Sequence, residues 1–251
     1  MEKVEYERLY KRELSYWWNI GRRRILEAAL HRHMHGGVQK NVLDVGCGAG
    51  GNILFLGKFG RVTGLDISEE AIKFSRDKGF FELVLGRAEI LPFPDRSFDI
   101  VTALDCIEHI EDDERALQEC HRVLTRGGVL LLTVPAHRWL WSRHDEALHH
   151  KRRYTEQDLL KKIKNAGFVS REMSHFVLPA IPFLLLQKSI RGVKKLLFPR
   201  NTEVIDTYDM LLPPPLNTLL IGWLSLERAI MRGMRIPFGS SLMVVARKND
   251  A

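Results

Sequence analysis

The chain alternates short apolar runs with stretches of helical character, and its first apolar run empties into glycines: NVLDV, then GCGAGGN, over residues 41–52. This alternation is the strongest constraint on the fold. A short, continuously apolar run suits a strand that is covered on both faces. Strands separated by helices need crossover connections, and such connections build parallel sheets. The runs are 41–45, RVTGLDI (61–67), FFELVLG (80–86), SFDIVTALD (97–105), GGVLLLTVP (127–135), FVSREMSHF (168–176) and SLMVVARK (241–248). They predict an α/β fold with a doubly wound, seven-stranded, mostly parallel sheet.

Helices are expected at 5–34, 50–58, 68–77, 112–124 and 156–166. Ser68 and Thr155 supply N-cap hydroxyls, acids follow Ser68 in the first turn, and Gly167 ends the last of these helices. HMHGG (33–37) breaks the first. The organisation reads as an N-terminal helical segment (1–37), a core (38–173), an insert (174–239), and the last strand with a tail (240–251). The insert holds LPAIPFLLL (178–186), the basic segment 188–200, PPP (213–215) and an apolar helical stretch at 216–235. Prolines interrupt the first apolar run, so a transmembrane helix is not expected.

Charge is unevenly placed. Residues 1–150 carry 21 Lys and Arg against 23 Asp and Glu, whereas residues 151–251 carry 17 against 8. The basic C-terminal part points to an acidic partner: phosphate groups, nucleic acid or an anionic membrane face. A solvated basic surface is the plain alternative. Cys47, Cys106 and Cys120 show no framework or CxxC spacing and read as free thiols of a reducing compartment. The charged N-terminus lacks a signal-peptide apolar core, so a cytoplasmic location is expected.

Gly46 and Gly48 let the backbone turn tightly at the end of the first strand and approach a ligand. Asp66 closes the second strand, where a carboxylate can accept both hydroxyls of a ribose. Turn and acid together point to an adenosine cofactor. Gly46, Gly48 and Gly51 also satisfy GxGxxG. Against a nicotinamide cofactor stand Asp44, which would face a pyrophosphate, and the lack of a second lobe to carry a hydride acceptor.

LDVGCGAG, GLDIS (64–68), RAEILPFPDRSFDIV (87–101), ALDCIEHI (103–110) and HRVLTRGGVLLLTVP (121–135) resemble the class I S-adenosylmethionine-dependent methyltransferases that act on small molecules. The resemblance covers roughly residues 40–175 and the last strand. It implies a Rossmann-like methyltransferase fold and S-adenosylmethionine as cofactor. Asp44, Gly46, Cys47 and Gly48 would hold the methionine part, Asp66 and Ile67 the ribose end, Ala88 and Glu89 the adenine, and Asp105 and Cys106 the methyl end. Arg87 stands where the family often has an adenine-accepting Asp, leaving Glu89 or backbone groups for that task. Trp17, Trp18 and Arg22 resemble a Trp-Trp and Arg-Arg pattern of some members, in which an aromatic face would attract the sulfonium and the arginine the methionine carboxylate. Packing of both tryptophans into the core is the alternative.

Methyl transfer to oxygen or nitrogen requires the acceptor to lose a proton, and His109 is the natural base by type. Asp105, Glu108 and His109 also resemble a magnesium site of some ubiquinone-biosynthesis O-methyltransferases. A structural role is the third reading, and no metal is assigned.

HDEALHHKRRY (144–154) would follow the fifth strand above the cofactor, which makes His150 a second acid–base candidate. Zinc ligation by His144, Asp145, His149 and His150 lacks a closed tetrahedral spacing. Nucleic-acid recognition would want a broader basic surface with aromatic platforms, and is disfavoured. The preferred reading is an anion-binding wall of Arg152 and Arg153, oriented by Asp145 and Tyr154. An Asp145–Arg153 ion pair that holds the loop shut is the alternative. The expected function is methyl transfer to an O or N atom of a small, hydrophobic or lipid-linked molecule. A non-catalytic adenosine-ligand regulator and a nucleic-acid methyltransferase are the other classes weighed. The insert is read as a lid or as an amphipathic surface for peripheral membrane contact, with Leu219, Leu220, Trp223, Ile230 and Met234 facing lipid and Lys188, Arg191, Lys194 and Lys195 facing anionic headgroups. Packing onto the sheet or onto a second subunit, as in a homodimer, is the alternative.

Overall fold

The computed structural model describes residue 10 and residues 14–34, 39–80, 82–185 and 212–249. In chain order the elements are α1 (Trp17–His33), β1 (Lys40–Val45), α2 (Ile53–Leu56), β2 (Gly60–Asp66), α3 (Glu69–Asp77), β3 (Leu83–Leu85), β4 (Phe98–Leu104), α4 (Asp113–Val123), β5 (Leu124–Pro135), α5 (Arg143–Ala147), α6 (Glu156–Asn165), β6 (Phe168–Phe176), α7 (Pro214–Ile230) and β7 (Ser241–Lys248). The sheet order is β3-β2-β1-β4-β5-β7-β6. Strands β1 to β5 pair in parallel, and β7 runs antiparallel between β5 and β6. The chain reverses its winding between β1 and β4. In open α/β sheets such a reversal opens a crevice at the carboxyl ends of the strands.

Strand periodicity sorts the core into two layers. Leu43, Val101, Leu130 and Leu132 face Ala116, Leu117 and Cys120 of α4 and Leu159 and Ile163 of α6. Their neighbours Val42, Ile100, Leu131 and Val245 face Ile25, Leu26, Ala29 and Leu30 of α1 and Leu224 of α7. Local chemistry starts the helices as expected. The Ser68 hydroxyl accepts from Ala71 N, Thr155 from Asp158 N, and the Asp112 carboxylate from Arg115 N.

The insert is tied to the core through α7. Gly21 on α1 lies so close against Leu224 that a side chain there would clash with it. Trp17 N donates to Asn217 Oδ1 at 2.9 Å. Glu227 is buried and accepts from Val177 N (2.7 Å) and Leu178 N (2.9 Å), which anchors the helix to the end of β6.

Several boundaries differ from expectation. The helix expected at 50–58 shrinks to the single turn of α2, because glycines 50, 51 and 57 flank it. The third strand is reduced to three residues. The first helix is seen from Trp17, and the expectation for 5–9 and 11–13 lies outside the described residues. Lys188, Arg191, Lys194 and Lys195 lie outside them too. Leu220 is packed against the core rather than outward, whereas Leu219, Trp223, Ile230 and Met234 are exposed. No helix among the described residues is long and apolar enough to cross a membrane.

Candidate active site

The glycine turn leaves β1 with Gly46 at φ +73° and Gly48 at φ +53°, both in the region that favours glycine. A Cβ on Gly46 would lie 2.5 Å from Cys106 Sγ, so the turn is pressed against the end of β4. A Cβ on Gly48 would meet nothing within 4 Å, so there is room above the turn for a ligand. Asp66 braces this turn. Its Oδ2 accepts from Gly48 N (2.8 Å) and its Oδ1 from Ser68 N (2.9 Å). Asp44 is fully buried and accepts from Thr102 Oγ1 at 2.6 Å. Beyond β2, the Ile67 side chain is exposed and Ala88 is buried. Arg87 pairs with Glu89 at 2.8 Å, so the basic residue that departs from the family pattern holds the neighbouring acid in place.

Across the switch point, Asp105 sits at φ +53° after β4. Its backbone N–H donates to Thr133, and the Thr133 hydroxyl donates to Asp105 Oδ1 at 3.0 Å. Arg22 reaches from α1 to Asp105 Oδ2 at 3.0 Å and to Thr133 Oγ1 at 3.3 Å, with its guanidinium over the Trp18 ring, 5.1 Å from the centroid. Arg22 thus locks α1 to the ends of β4 and β5. Trp17 is buried in the core, as the packing alternative has it, while Trp18 stays half-buried beside Arg22.

Glu108, His109 and His150 form a cluster next to this. The rings of His109 and His150 meet edge to face, with centroids 4.7 Å apart. Among the described residues neither oxygen of the buried Glu108 has a hydrogen-bond partner. Burial, and then Asp105, push the Glu108 carboxyl well above the usual carboxylate range, which favours its protonated form. Burial, and then His150, lower the His109 pKa, so its ring is neutral at pH 7. His150 Nδ1 lies 2.9 Å from Asp145 Oδ1. Burial opposes ionisation of Asp145, but the bonds from His150, Arg153 and Ser142 outweigh it and hold the carboxyl well below its ordinary value. The His150 tautomer that donates Nδ1–H to this carboxylate would carry its lone pair on Nε2.

The anion-binding wall is corrected by this geometry. Asp145 is fully buried, and Arg153 forks onto it at 2.7 and 3.0 Å while also donating to Ala136 O. This is the ion pair of the alternative reading. Tyr154 is buried and donates to Asp113 Oδ2 at 2.6 Å, facing inward. Arg152 lies 3.4 Å from Asp113 Oδ2 and donates to Glu111 O. All four residues are engaged within the protein. The zinc grouping does not assemble either, because Asp145 is committed to His150, Arg153 and Ser142. Among the described residues, the groups that come together as potential metal ligands are Glu108, His109 and His150, with ligand atoms within 4.8 Å of one another.

The sequence reading missed two features. Thr102 and Thr133 are buried polar side chains in apolar strands, and each orients an acid at a strand end. A polar residue inside a run as apolar as GGVLLLTVP was the available signal. His137 and His175 stack at 4.9 Å and 6°, beside Trp139 and Phe238. Nothing local in the sequence joins them.

Comparison with known proteins places this geometry. Residues 43–132 match the family described as methyltransferase domain. The chain is 36% identical over 133 residues to norajmaline N-methyltransferase of Rauvolfia serpentina, covering 49% of this chain and 44% of that protein. It is 45% identical over 105 residues to demethylmenaquinone methyltransferase of Listeria welshimeri, covering 37% and 44%. It therefore spans less than half the length of these curated relatives. Phosphoethanolamine N-methyltransferase 2 of Haemonchus contortus, solved with S-adenosyl-L-methionine, shares the fold at a TM-score of 0.57 and 20% identity, covering 90% of this chain and 52% of that one. The strand order, the glycine turn and the matched residues agree, and residues 43–132 are a methyltransferase domain of the kind that uses S-adenosylmethionine.

Proposed function

We propose that this chain moves the methyl group of S-adenosylmethionine to an oxygen or nitrogen atom of a small acceptor with a substantial apolar body. The observation that carries the reading is the buried Asp145–His150 contact beside neutral His109, at the carboxyl edge of β4 and β5. Asp44 and the Gly46–Cys47–Gly48 turn would hold the methionine portion, Asp66 and Ile67 the ribose end, and Ala88 and Glu89 the adenine. Trp18, Asp105 and Cys106 would line the methyl end. The room above Gly48 fits such a ligand. Bound there, the cofactor supplies an electrophilic methyl on a sulfonium. His150 Nε2 accepts the acceptor's O–H or N–H proton as the new bond to carbon forms, and Asp145 stabilises the resulting imidazolium.

An apolar acceptor is supported by the relative that acts on demethylmenaquinone and by the exposed Leu219, Trp223, Leu226 and Ile230 of α7, which also suit peripheral membrane contact. A second reading is favoured by the unpartnered oxygens of Glu108: Glu108, His109 and His150 hold a divalent cation at the acceptor end. The test is incubation of a cell extract with isotopically labelled S-adenosylmethionine, followed by separation of lipid and polar small-molecule fractions. Label in a lipid-fraction compound, lost with His150→Ala and retained with chelator, supports the first reading. Loss with chelator, restored by a divalent metal, supports the second. Binding of cofactor with no label transferred overturns both.

A further inference from the structure

We infer that the cleft between α1 and α7 is a second binding site, for a phosphate-bearing anion, separate from the site at the strand ends. Below the contact of Gly21 with Leu224, the two helices leave a cavity of about 540 Å³ lined by Arg24, Glu27, His31, Arg32, Arg228 and Arg232. Arg24 and Arg32 of α1, Arg228 of α7 and Arg232 just beyond it therefore border one space. Its acid is already engaged: Glu27 takes two bonds from Lys58 Nζ, at 2.8 and 3.0 Å. Arg32 is held by Glu172 outside the cleft, at 2.6 Å. Arg24, Arg228 and Arg232 have no ion-pair partner among the described residues.

Convergent cations repel one another, and among the described residues three of them share one concave space with no ion-pair partner. A multivalent anion relieves that repulsion, and the planar fork of each guanidinium matches the paired oxygens of a phosphate. Drawing Arg24 from α1 and Arg228 from α7 also makes the site depend on the α1–α7 pairing. That pairing is fixed by Leu224 and by the Trp17–Asn217 bond rather than by charge, so the cleft keeps its shape without the ligand. The volume admits a pyrophosphate or a lipid headgroup. The exposed Arg24 and Arg232 lie at the surface, where either can reach them.

The full-length protein is titrated with inorganic pyrophosphate by calorimetry. In parallel it is sedimented with phosphatidylcholine vesicles containing or lacking phosphatidic acid. Arg228→Gln/Arg232→Gln and the charge-retaining Arg228→Lys/Arg232→Lys are run beside the wild type, with circular dichroism to confirm folding. Saturable binding of either probe by the wild type, weakened at least tenfold in the glutamine variant and less in the lysine variant, supports the site. Pyrophosphate binding alone assigns a soluble anion, and phosphatidic-acid-dependent sedimentation alone assigns a headgroup. Binding of neither probe, or equal binding by wild type and glutamine variant, overturns the inference. Should the glutamine variant fail to fold, hydrogen exchange on the wild type decides. Protection by the probe confined to 24–32 and 228–232 supports the site, and unchanged exchange there overturns it. Both readouts are independent of methyl transfer, so failure here leaves the proposed function standing.

Discussion

The two sides of the switch point are built from different materials. On the β1–β2 side the geometry is mostly backbone: a glycine turn at positive φ, with its amide and that of Ser68 gathered by the single carboxylate of Asp66. On the β4–β5 side it is mostly side chain. Asp105, Glu108 and His109 follow one strand, Asp145 and His150 follow another, and Arg22 arrives from a third element. A backbone grip tolerates little variation in sequence and suits a ligand that never changes. A side-chain cluster can be altered one residue at a time while the sheet stays as it is, which suits the end where acceptors differ.

The largest effect is expected where the side-chain half is buried. Asp145→Ala would leave the Arg153 guanidinium without its carboxylate and the Ser142 N–H unpaired inside the protein, and removal of one partner of a buried pair costs about 3–5 kcal/mol. Urea unfolding measures it; a loss below about 1 kcal/mol would show that the cluster is looser than its geometry. The backbone half is probed by Gly46→Ala. The new methyl would meet Cys106 Sγ and the residue would sit at φ +73°, for a combined cost of about 1–3 kcal/mol and a matching loss of cofactor affinity.

A smaller effect depends on pH. Burial lowers the pKa of both His137 and His175. Glu156 Oε1 lies 3.1 Å from His175 Nδ1, yet not in hydrogen-bonding geometry, and burial outweighs its attraction. The unfolded chain takes up protons below about pH 6.5 that the folded rings refuse, so stability falls as pH drops below that value. His175→Phe keeps an aromatic ring on His137 and removes one of these groups. The acid limb of a stability–pH curve should become shallower, though not flat, since His109, His121 and His137 are also lowered. The smallest effect belongs to Arg152→Ala. Its partners Glu111 and Asp113 keep Lys151 and Lys162, so stability and transfer should change by no more than about 1 kcal/mol. A large loss of transfer would revive the anion-binding role that the geometry removes.

The same division explains what could be read from the chain. The strands, the caps at Ser68 and Thr155, the glycine turn and Asp66 all depend on neighbours within a few residues, or on one strand end beside the next. They were legible for that reason. The direction of Arg153 was not, because a charged run such as HHKRRY carries no mark of which charge is buried; only its bonds to Asp145 on α5 and to Ala136 O turn it inward. Glu108 is the sharper case. Adjacent acids at 111–114 are exposed or ion-paired, and nothing in EHIEDDE distinguishes the one that is buried without a hydrogen-bond partner among the described residues. Its state follows from burial and then from Asp105, and the burial depends on segments distant in sequence that close over it, that of His150 among them.

The division of labour across the switch point is tested most directly by one paired measurement: cofactor dissociation constant and single-turnover transfer rate, for Asp66→Ala and His150→Ala side by side. Asp66→Ala should weaken cofactor binding at least about tenfold, in line with the loss of charge-assisted hydrogen bonds worth roughly 1.5–3 kcal/mol each. At saturating cofactor its transfer rate should stay near that of the wild type. His150→Ala should leave the dissociation constant unchanged and slow transfer by roughly 10²–10⁴-fold, the range of a lost general base. Equal losses of affinity and rate in both variants, or normal turnover by His150→Ala, would contradict the account.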